Sequence, residues 1–473
     1  MDNNNKFEMV AKTFKGLEGV LADELAALGA EGVKQGVRMV AFTGDKRLMY
    51  KANFACRTAL AILKPFHTFN AADTDALYDA VRDYDWQQVM SAKQTFAISV
   101  TASGEVFRNS QFVTYRVKDG IVDHFTDDGG ERPQVRVTNP DVRIDVHIAG
   151  DTVTLSLNTS GEPLYRRGWR VAQTDAPINE VLAAGIILMS GWHGERDFVD
   201  PMCGSGTFLV EAALIATGTA PGVFGREYAF QRWTDYDAEM FNEIYNDDSG
   251  ERAFEHKIYG SDNNPKAVAI ARKNAKNSSM LRYMEIELRG IETIEQVPEG
   301  GIVVTNPPYG KRLGGEDDLQ ALYRSIGERL KHVFRGYTAW LICRDDRALV
   351  RHIGLKPSQR IEVLNGSLEC NVLEYVMFDG DYKQMRARGE SIRHERTHHA
   401  GERAPRPTGE RPKERKPRPR RHEDTHSEEY AHRVLRGRKP QLGEDKTVPV
   451  MRERRHGWKR RPNDTEGTPE NND

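Results

Sequence analysis

Residues 196 to 217 read Arg-Asp-Phe-Val-Asp-Pro-Met-Cys-Gly-Ser-Gly-Thr-Phe-Leu-Val-Glu-Ala-Ala-Leu-Ile-Ala-Thr, which predicts a short strand, a loop of small residues and an apolar helix. Gly204 and Gly206 lack a Cβ, so the loop backbone can approach a ligand closely, and the helix N-terminus presents free N–H groups. The loop lacks the Lys-Ser/Thr pair of a P-loop, so a phosphate ligand is not favoured. The stretch therefore predicts a strand-loop-helix nucleotide cradle, with Asp200 orienting the loop or meeting an ammonium group.

A second strand that ends in an acidic residue follows this cradle. Residues 257 to 262 read Lys-Ile-Tyr-Gly-Ser-Asp, and a doubly wound sheet would place Asp262 near the hydroxyls of a ribose. The spacing between the two stretches is much longer than the roughly 20 residues of the dinucleotide fingerprint, so the spacing itself gives little support.

A rigid turn with an amide and an aromatic ring follows the apolar run at 301–305. Residues 306 to 310 read Asn-Pro-Pro-Tyr-Gly, and the two prolines restrict their own φ angles and the residue before each. The side-chain oxygen of Asn306 and the carbonyl of Pro307 could accept both hydrogens of one NH2 group, while Tyr309 offers a face for stacking. A simple strand-terminating turn explains this motif equally well when it is considered alone.

The Asn-Pro-Pro-Tyr turn at residues 306–309 is chemically suited to bind a planar NH2 group. The lone pair of a nucleobase amine or a side-chain amide is delocalised into the neighbouring π system, so the nitrogen is a poor nucleophile. Two acceptors aimed at its hydrogens favour a more electron-rich nitrogen, and they bind more strongly as positive charge develops. Activation of the amine in this way needs neither a metal nor a strongly basic side chain.

Together, Asp200 to Thr207, Gly260 to Asp262 and Asn306 to Gly310 resemble, in that order, the S-adenosylmethionine-dependent amino-methyltransferases. The resemblance implies that S-adenosyl-L-methionine is the cofactor and that the fold is α/β, a Rossmann-like class I methyltransferase. It also implies roles for the individual residues. Gly204, Ser205 and Gly206 would surround the methionine part of the cofactor, Asp262 would bind its ribose, and the catalytic set would be Asn306, Pro307 and Tyr309.

The chain departs from this family after the third strand, where members often carry an acid that contacts the adenine amine. Residues 284 to 288 read Met-Glu-Ile-Glu-Leu, and Gly290 follows shortly after them. We expect Glu292 to take the role of the missing acid. Glu287 is a poorer candidate because strand alternation turns it outward.

The first 175 residues have a mixed α and β pattern of a different character. Strands are expected near 6–11, 37–42, 95–101, 142–148 and 152–158, and helices near 16–28, 46–62, 73–82 and 108–127. The segment from Lys46 to Asn158 resembles a THUMP domain, an RNA-binding module of RNA-modifying enzymes. Within it, Arg108, Arg116 and Lys118 are candidates for phosphate contacts, although a solvated helix face explains each one equally well.

The linker that follows is both basic and aromatic. Residues 164 to 170 read Leu-Tyr-Arg-Arg-Gly-Trp-Arg, and family members have a similar basic turn here. Arg166, Arg167 and Arg170 would form an RNA-binding surface together with Tyr165 and Trp169. Packing of the two aromatic rings against the catalytic domain is the alternative explanation.

Composition divides the chain into a body and a tail. The 473 residues carry a net charge of −2, but the part from Lys383 onward has 25 Lys and Arg against 16 Asp and Glu. This tail is rich in proline and poor in apolar residues, so we expect it to be disordered and to bind RNA or to aid solubility.

The four cysteines are widely spaced, which argues for reduced thiols, a cytoplasmic location and no structural zinc. The sequence has no apolar run of membrane-spanning length.

The chain as a whole, from about residue 6 to 382, resembles the guanine-N2 methyltransferases of bacterial large-subunit (23S) ribosomal RNA. The expected domains are a ferredoxin-like segment (1–45), a THUMP domain (46–158), a linker (159–175), the methyltransferase domain (176–382) and the basic tail (383–473). The expected partner is ribosomal RNA or a pre-ribosomal particle, without membrane or metal, and the protein is expected to be a monomer. Alternatives are methylation of guanine N2 in tRNA, of adenine N6 or of a glutamine amide, and an assembly factor that binds rRNA without catalysis.

Overall fold

The computed structural model of the protein describes residues 6–127, 129–309 and 316–378. These residues form two β-sheets, one of eight strands and one of seven. Within the described ranges no helix is both long and apolar enough to cross a lipid bilayer. The predicted basic tail, residues 383–473, lies outside the described residues.

The eight-stranded sheet is built from the first part of the chain, and its strand order is β2-β3-β1-β4-β8-β7-β5-β6. Its strands are β1 (Phe7–Lys12), β2 (Glu31–Gly36), β3 (Met39–Gly44), β4 (Ala61–Asn70), β5 (Thr95–Ser103), β6 (Gln134–Val135), β7 (Val142–Ala149) and β8 (Thr152–Asn158). The helices of this part are α1 (Glu18–Ala27), α2 (Lys46–Ala55), α3 (Thr74–Asp83) and α4 (Ser110–Thr126).

The first four strands and two helices form a βαββαβ unit with the ferredoxin-like order β2-β3-β1-β4. β4 pairs antiparallel with β1 and also with β8, so the sheet continues without a break from this unit into the THUMP part. α2 and β4 therefore belong to the ferredoxin-like unit, although the predicted boundary at residue 45 assigned them to the following domain.

The helix predicted near 46–62 was too long. α2 ends at Ala55, and its C-cap residue Cys56 already has an extended backbone conformation. The apolar run that follows is β4, whose residues pair on both sides. Short apolar runs fit a buried strand as well as a helix, which is why the pattern was misread.

The seven-stranded sheet belongs to the second part of the chain, and its strand order is β11-β10-β9-β12-β13-β15-β14. Its strands are β9 (Phe198–Asp200), β10 (Ile258–Asp262), β11 (Met284–Leu288), β12 (Ile302–Thr305), β13 (Thr338–Arg344), β14 (Gln359–Asn365) and β15 (Leu368–Val376). The helices are α5 (Glu180–Met189), α6 (Thr207–Ala216), α7 (Ala238–Tyr245), α8 (Pro265–Asn277), α9 (Glu316–His332) and α10 (Arg347–Val350).

This second sheet is doubly wound. β9, β10, β11, β12 and β13 run parallel, whereas β15 is antiparallel to both β13 and β14. Successive residues face opposite sides: Phe198 and Ile302 pack on the side of α5 and α6, and Val199 and Val303 pack on the side of α9. The strand order reverses at β9, between β10 and β12, and ligands of such sheets bind at the carboxyl ends of the strands at this point.

The two parts of the chain pack directly against each other. Leu17, in the loop before α1, belongs to the same buried cluster as α5 and α6. Arg57 donates from Nη2 to the backbone carbonyls of Leu214 (3.1 Å) and Thr219 (2.8 Å), at the end of α6. These contacts fix the ferredoxin-like unit on the helix that begins at the predicted cofactor loop.

Candidate active site

The loop between β9 and α6 needs glycine at two positions. Gly204 and Gly206 have φ angles of +53° and +78°, and Gly206 is the N-cap residue of α6. A Cβ on Gly206 would lie 3.1 Å from the Cβ and 3.2 Å from the Cα of Ala271 on α8. Glycine at 206 therefore lets α6 and α8 approach each other directly behind the loop.

Asp200 ends β9 and is buried below this loop. Its carboxylate accepts a hydrogen bond from Thr305 Oγ1 (2.7 Å) and a longer one from the backbone N–H of Met202 (3.3 Å). Burial raises the pKa of Asp200 to about 7, because removal from water disfavours the charged carboxylate more than these hydrogen bonds favour it. Asp200 is thus an acid that changes its protonation near neutral pH.

Asp262 holds the same loop from the next strand. Its Oδ2 accepts from the backbone N–H of Gly204 (3.0 Å), and its Oδ1 accepts from the backbone N–H of Asn264 (2.9 Å). One carboxylate therefore connects the ends of β9 and β10. This places Asp262 at the edge of the cavity, where it was expected to meet a ribose.

The Asn-Pro-Pro-Tyr turn follows β12 at the same end of the sheet. The Oδ1 of Asn306 is buried and has no hydrogen-bond partner among the residues that the structure describes. A buried acceptor without a partner is costly, so this atom is suited to a donor brought by a ligand. Tyr309 is held by Asn365, whose Nδ2 donates to its hydroxyl at 2.8 Å, and burial raises the pKa of the Tyr309 hydroxyl to about 12.

A single cavity of about 890 Å³ joins the loop and the turn. The predicted site residues that line it are Asp200, Gly204, Ser205, Asp262, Glu292, Asn306, Pro307 and Tyr309. Gly206 does not line the cavity and acts behind it, at the start of α6. The structure thus brings the predicted cofactor loop and the predicted amine-binding turn together.

Of the two candidates for the adenine-contacting acid, Glu292 lines the cavity and Glu287 does not. Glu292 and Gly290 both line the cavity, and a Cβ on Gly290 would lie 2.2 Å from Oε1 of Glu292. Glu287 is exposed on β11 and forms an ion pair with Arg289 at 3.2 Å. Glycine at 290 leaves the space that the Glu292 carboxylate occupies.

Several parts of the cavity wall were not among the predicted site residues. They include the segment from Thr174 to Ile178 at the end of the linker, the residues Ala321, Leu322 and Ser325 of α9, and the β14–β15 turn with Asn365 and Gly366. Asn365-Gly366 is a common turn pair and indicates a hairpin. Its position beside Tyr309 depends on sheet topology, which the local sequence does not reveal.

The basic residues predicted to bind RNA in the THUMP part lie on or next to α4. Arg108 is exposed and forms an ion pair with Glu105 at 2.7 Å. Arg116 forms an ion pair with Asp75 at 2.6 Å, and its guanidinium lies 4.4 Å from the ring centroid of Tyr78. Arg116 is therefore engaged within the domain, whereas the pair of Arg108 is open to solvent and of little stabilising value.

Two exposed aromatic side chains lie on the same helix and were not singled out from the sequence. The ammonium group of Lys118 lies 5.8 Å from the ring centroid of Tyr115, and it also pairs with Asp119 at 2.7 Å. Tyr115 and Phe112 are 51% and 48% exposed, so both rings are accessible from solvent. Their spacing of three residues on α4 places them on one face of the helix.

In the linker, the structure corrects the RNA-binding surface predicted from the sequence. Arg166 is exposed, but Arg167 is buried and lies 3.5 Å from Oε1 of the buried Glu211 on α6. Arg170 is largely buried and pairs with Glu180. Direct RNA contacts of Arg167 and Arg170 are incompatible with this burial, because removing one partner of a buried pair leaves the other charge uncompensated.

The aromatic residues of the linker pack inside the protein, which was the alternative explanation. Trp169 is fully buried, and its Nε1 donates to Glu211 at 3.3 Å. Tyr165 is partly buried against the same core. The linker is thus a packed element and not an open surface.

Comparisons with known proteins agree with this geometry. Residues 167–374 match the "RMKL-like, methyltransferase domain" family model, residues 71–158 match the THUMP domain, and residues 8–63 match the RlmL ferredoxin-like domain. The solved structure of SMU.472, a candidate methyltransferase complexed with SAH, superimposes with a TM-score of 0.72 and 26% identity, over 80% of this chain and 100% of that one. SAH is what remains of S-adenosylmethionine after its methyl group has been transferred.

Two curated relatives match most of this chain. The Synechocystis protein slr0064, named as a candidate RNA methyltransferase, is 37% identical over 78% of this chain and 96% of its own length. The ribosomal RNA large subunit methyltransferase K/L of Syntrophotalea carbinolica is 38% identical over 79% of this chain, which spans 54% of that protein. The fold and the site therefore define an S-adenosylmethionine-dependent methyltransferase. The chain belongs to the RMKL-like methyltransferase family.

The pKa of Asp200 predicts that cofactor binding depends on pH. If the Asp200 carboxylate meets the ammonium group of the cofactor, a proton on Asp200 must leave before binding. We therefore expect the Kd for SAH to be constant above the pKa of about 7 and to rise by about tenfold per pH unit below it. Calorimetry from pH 5.5 to 8.5 measures this slope. Asp200→Asn should bind more weakly at pH 8 and lose the slope, and a slope that survives in Asp200→Asn would show that another group titrates.

Proposed function

We propose that this enzyme methylates the exocyclic N2 amine of a guanosine in large-subunit (23S) ribosomal RNA. The observation that carries the proposal is the buried, unpartnered Oδ1 of Asn306 in the same cavity as the Gly204–Gly206 loop. An unpaired acceptor beside the predicted cofactor loop fits an NH2 substrate group. Such a group brings two hydrogens to donate, and its nitrogen needs activation.

The residues of this chain then act as follows. Asn306 Oδ1 and the Pro307 carbonyl accept the two amine hydrogens, and Tyr309 supports the base by stacking. S-adenosylmethionine, held at the Gly204–Gly206 loop, would supply an electrophilic methyl carbon on a positively charged sulfur. Transfer of that methyl group to the amine nitrogen would leave SAH with a neutral sulfur, and the methylated amine would lose one proton to water.

Asn306 Oδ1 and the Pro307 carbonyl stabilise the positive charge that develops on the attacking nitrogen. The two acceptors bind the amine more strongly as that charge develops, so their contribution falls on the transition state. Asn365 holds Tyr309 in place through its hydroxyl, and the raised pKa keeps this hydroxyl protonated at neutral pH. Tyr309 therefore acts as a neutral platform and not as a base.

Support for an RNA substrate comes from the N-terminal part of the chain. It contains the THUMP and ferredoxin-like domains, which are packed onto the catalytic part through Arg57 and Leu17. The curated relatives are named as enzymes that modify RNA or ribosomal RNA. The proposed partner is ribosomal RNA or an assembling large subunit. The cytoplasmic location, the monomeric state and the domain boundaries after the ferredoxin-like unit remain predictions.

A transfer assay with a labelled methyl group tests this proposal against its rivals. Unmodified 23S rRNA, tRNA, duplex DNA and total protein are each incubated with the enzyme and methyl-labelled S-adenosylmethionine. We expect label in 23S rRNA alone. Label in DNA or protein would support adenine-N6 or glutamine methylation, and binding of rRNA without label in any substrate would support the assembly factor.

The exposed rings on α4 are expected to contribute to RNA affinity. Stacking of a base on an aromatic side chain contributes about 1–3 kcal/mol, so Phe112→Ala combined with Tyr115→Ala should weaken rRNA binding by about tenfold or more. Fluorescence anisotropy with an rRNA fragment measures the change. Tyr115→Phe keeps the ring and serves as the matched control. Unchanged affinity in the double variant would exclude this face from the RNA-binding surface.

A further inference from the structure

The linker does more than connect the front domains to the catalytic domain, because one of its side chains holds the cofactor loop. Arg170 donates from Nη1 to Ser205 Oγ (2.9 Å) and from Nη2 to Thr207 Oγ1 (2.9 Å). Its Nε donates to Oε1 of Glu180 at 2.6 Å, at the start of α5. A single guanidinium therefore joins the linker, the cofactor loop and the helix α5.

This contact is built into the interior of the protein. The side chains of Arg170 and Glu180 are only 15% and 7% exposed, so the pair is shielded from water. The guanidinium also lies 4.9 Å from the ring centroid of the buried Trp169. A planar guanidinium with donors in a fixed fork suits this three-way contact better than a lysine ammonium.

A second side chain ties the same two segments together. Asn274 on α8 is fully buried, and its Nδ2 donates to the backbone carbonyls of Ala172 (2.8 Å) and Ser205 (2.9 Å). Its Oδ1 accepts from the backbone N–H groups of Val171 (3.0 Å) and Ala172 (3.2 Å). Linker and loop are thus joined through side-chain and backbone groups at once.

The position of Arg170 is not explained by the stability of α6. A helix N-terminus carries partial positive charge, so a guanidinium beside Thr207 gains nothing from the helix dipole and needs the charge of Glu180. What the arrangement helps to fix is the conformation of the loop, where the two glycines Gly204 and Gly206 have a wider range of allowed backbone angles than other residues.

We propose that Arg170 is a positioning residue that holds the Gly204–Gly206 loop in the conformation that binds S-adenosylmethionine. It sets the affinity for the methyl donor and has no part in the transfer step, where Asn306 acts. The inference rests on the placement of the cofactor at this loop and is independent of which amine is methylated. The linker leads directly into the segment from Thr174 to Ile178, which lines the cavity. The contact of Arg170 with the loop therefore couples the ferredoxin-like and THUMP domains to cofactor binding.

The test separates affinity from chemistry. Hydrogen bonds to a charged group contribute enough that Arg170→Gln should raise the Kd for SAH by about 10- to 100-fold. The KM for S-adenosylmethionine should rise in parallel, while kcat at saturating donor stays within about threefold of the wild type. Hydrogen exchange of the amides of residues 204–207 should become faster in the free protein. Arg170→Lys, which keeps the charge and loses the fork, should recover binding only in part.

Two controls keep the result specific. Lys331→Gln removes an exposed ion pair with Glu328 on α9 and should leave the Kd unchanged. In a double-mutant cycle, Thr207→Ala should cost less in the Arg170→Gln background than in the wild type, because both changes remove the same contact.

Several results would overturn the inference. Wild-type affinity for SAH in Arg170→Gln would do so, as would a fall in kcat with an unchanged Kd. Additive effects in the cycle would exclude action through Thr207. Should Arg170→Gln not fold, Arg170→Lys with wild-type affinity and unchanged loop exchange would equally contradict it. Failure of the wild-type chain to bind SAH would overturn the cofactor placement and the inference with it.

Discussion

Replacement of Asn306 by alanine is expected to remove nearly all methyl transfer activity while SAH still binds with nearly normal affinity. The buried Oδ1 of Asn306 has no partner among the described residues, and its role is to accept from the amine as that amine becomes positive. Removal of one preorganised polar group of this kind costs about 10²- to 10³-fold in rate. Single-turnover kinetics with rRNA measures the rate, and calorimetry with SAH measures the affinity.

The matched control for this prediction is a surface asparagine. Asn246 is exposed at the end of α7, and Asn246→Ala should leave both rate and affinity unchanged. If Asn306→Ala loses SAH binding in proportion to its activity, the turn has only a structural role. If Asn306→Ala retains more than about a tenth of the wild-type rate, the Asn306 side chain does not activate the amine.

Replacement of Gly206 by valine is expected to have the second largest effect, the loss of detectable SAH binding. Gly206 has a φ of +78°, which a β-branched residue adopts only with strain, and a Cβ would meet Ala271 at 3.1–3.2 Å. The loop and the start of α6 must then shift away from α8. Equilibrium dialysis with labelled SAH measures the loss, and circular dichroism shows whether the helices are retained.

The control separates backbone strain from loss of the loop. Gly225 has a similar φ of +71°, and nothing lies within 4 Å of an added Cβ. Gly225→Val therefore introduces comparable local strain without a clash and away from the cavity, and SAH binding should survive it. Normal SAH binding by Gly206→Val would remove the loop from the cofactor site.

The parts of the fold that the sequence predicted well are those with strong local signals. The β9–α6 unit was predicted because an apolar strand, a glycine loop and an apolar helix follow one another directly, and the structure has this order from Phe198 to Ala216. The turn after β12 was predicted because two prolines allow few conformations. Strand order then brings both to the same end of the sheet.

The errors arose where tertiary contacts decide the structure. Arg167 and Arg170 have the composition of an RNA-binding surface, but buried partners on α5 and α6 make them internal. No local pattern distinguishes an arginine that meets a buried glutamate from one that meets a phosphate. Asn365 was missed for the same reason, since only the antiparallel β14–β15 hairpin brings it to Tyr309.

The most direct test of the central claim is the identity of the methylated nucleoside. Unmodified 23S rRNA is treated with the enzyme and S-adenosylmethionine carrying a deuterated methyl group, and is then digested to nucleosides for mass spectrometry. The account predicts deuterated N2-methylguanosine as the product, with at most about a hundredth of the initial rate of formation in Asn306→Ala. Deuterated N6-methyladenosine, a ring-nitrogen or ribose methyl group, or an equal yield from Asn306→Ala would contradict it.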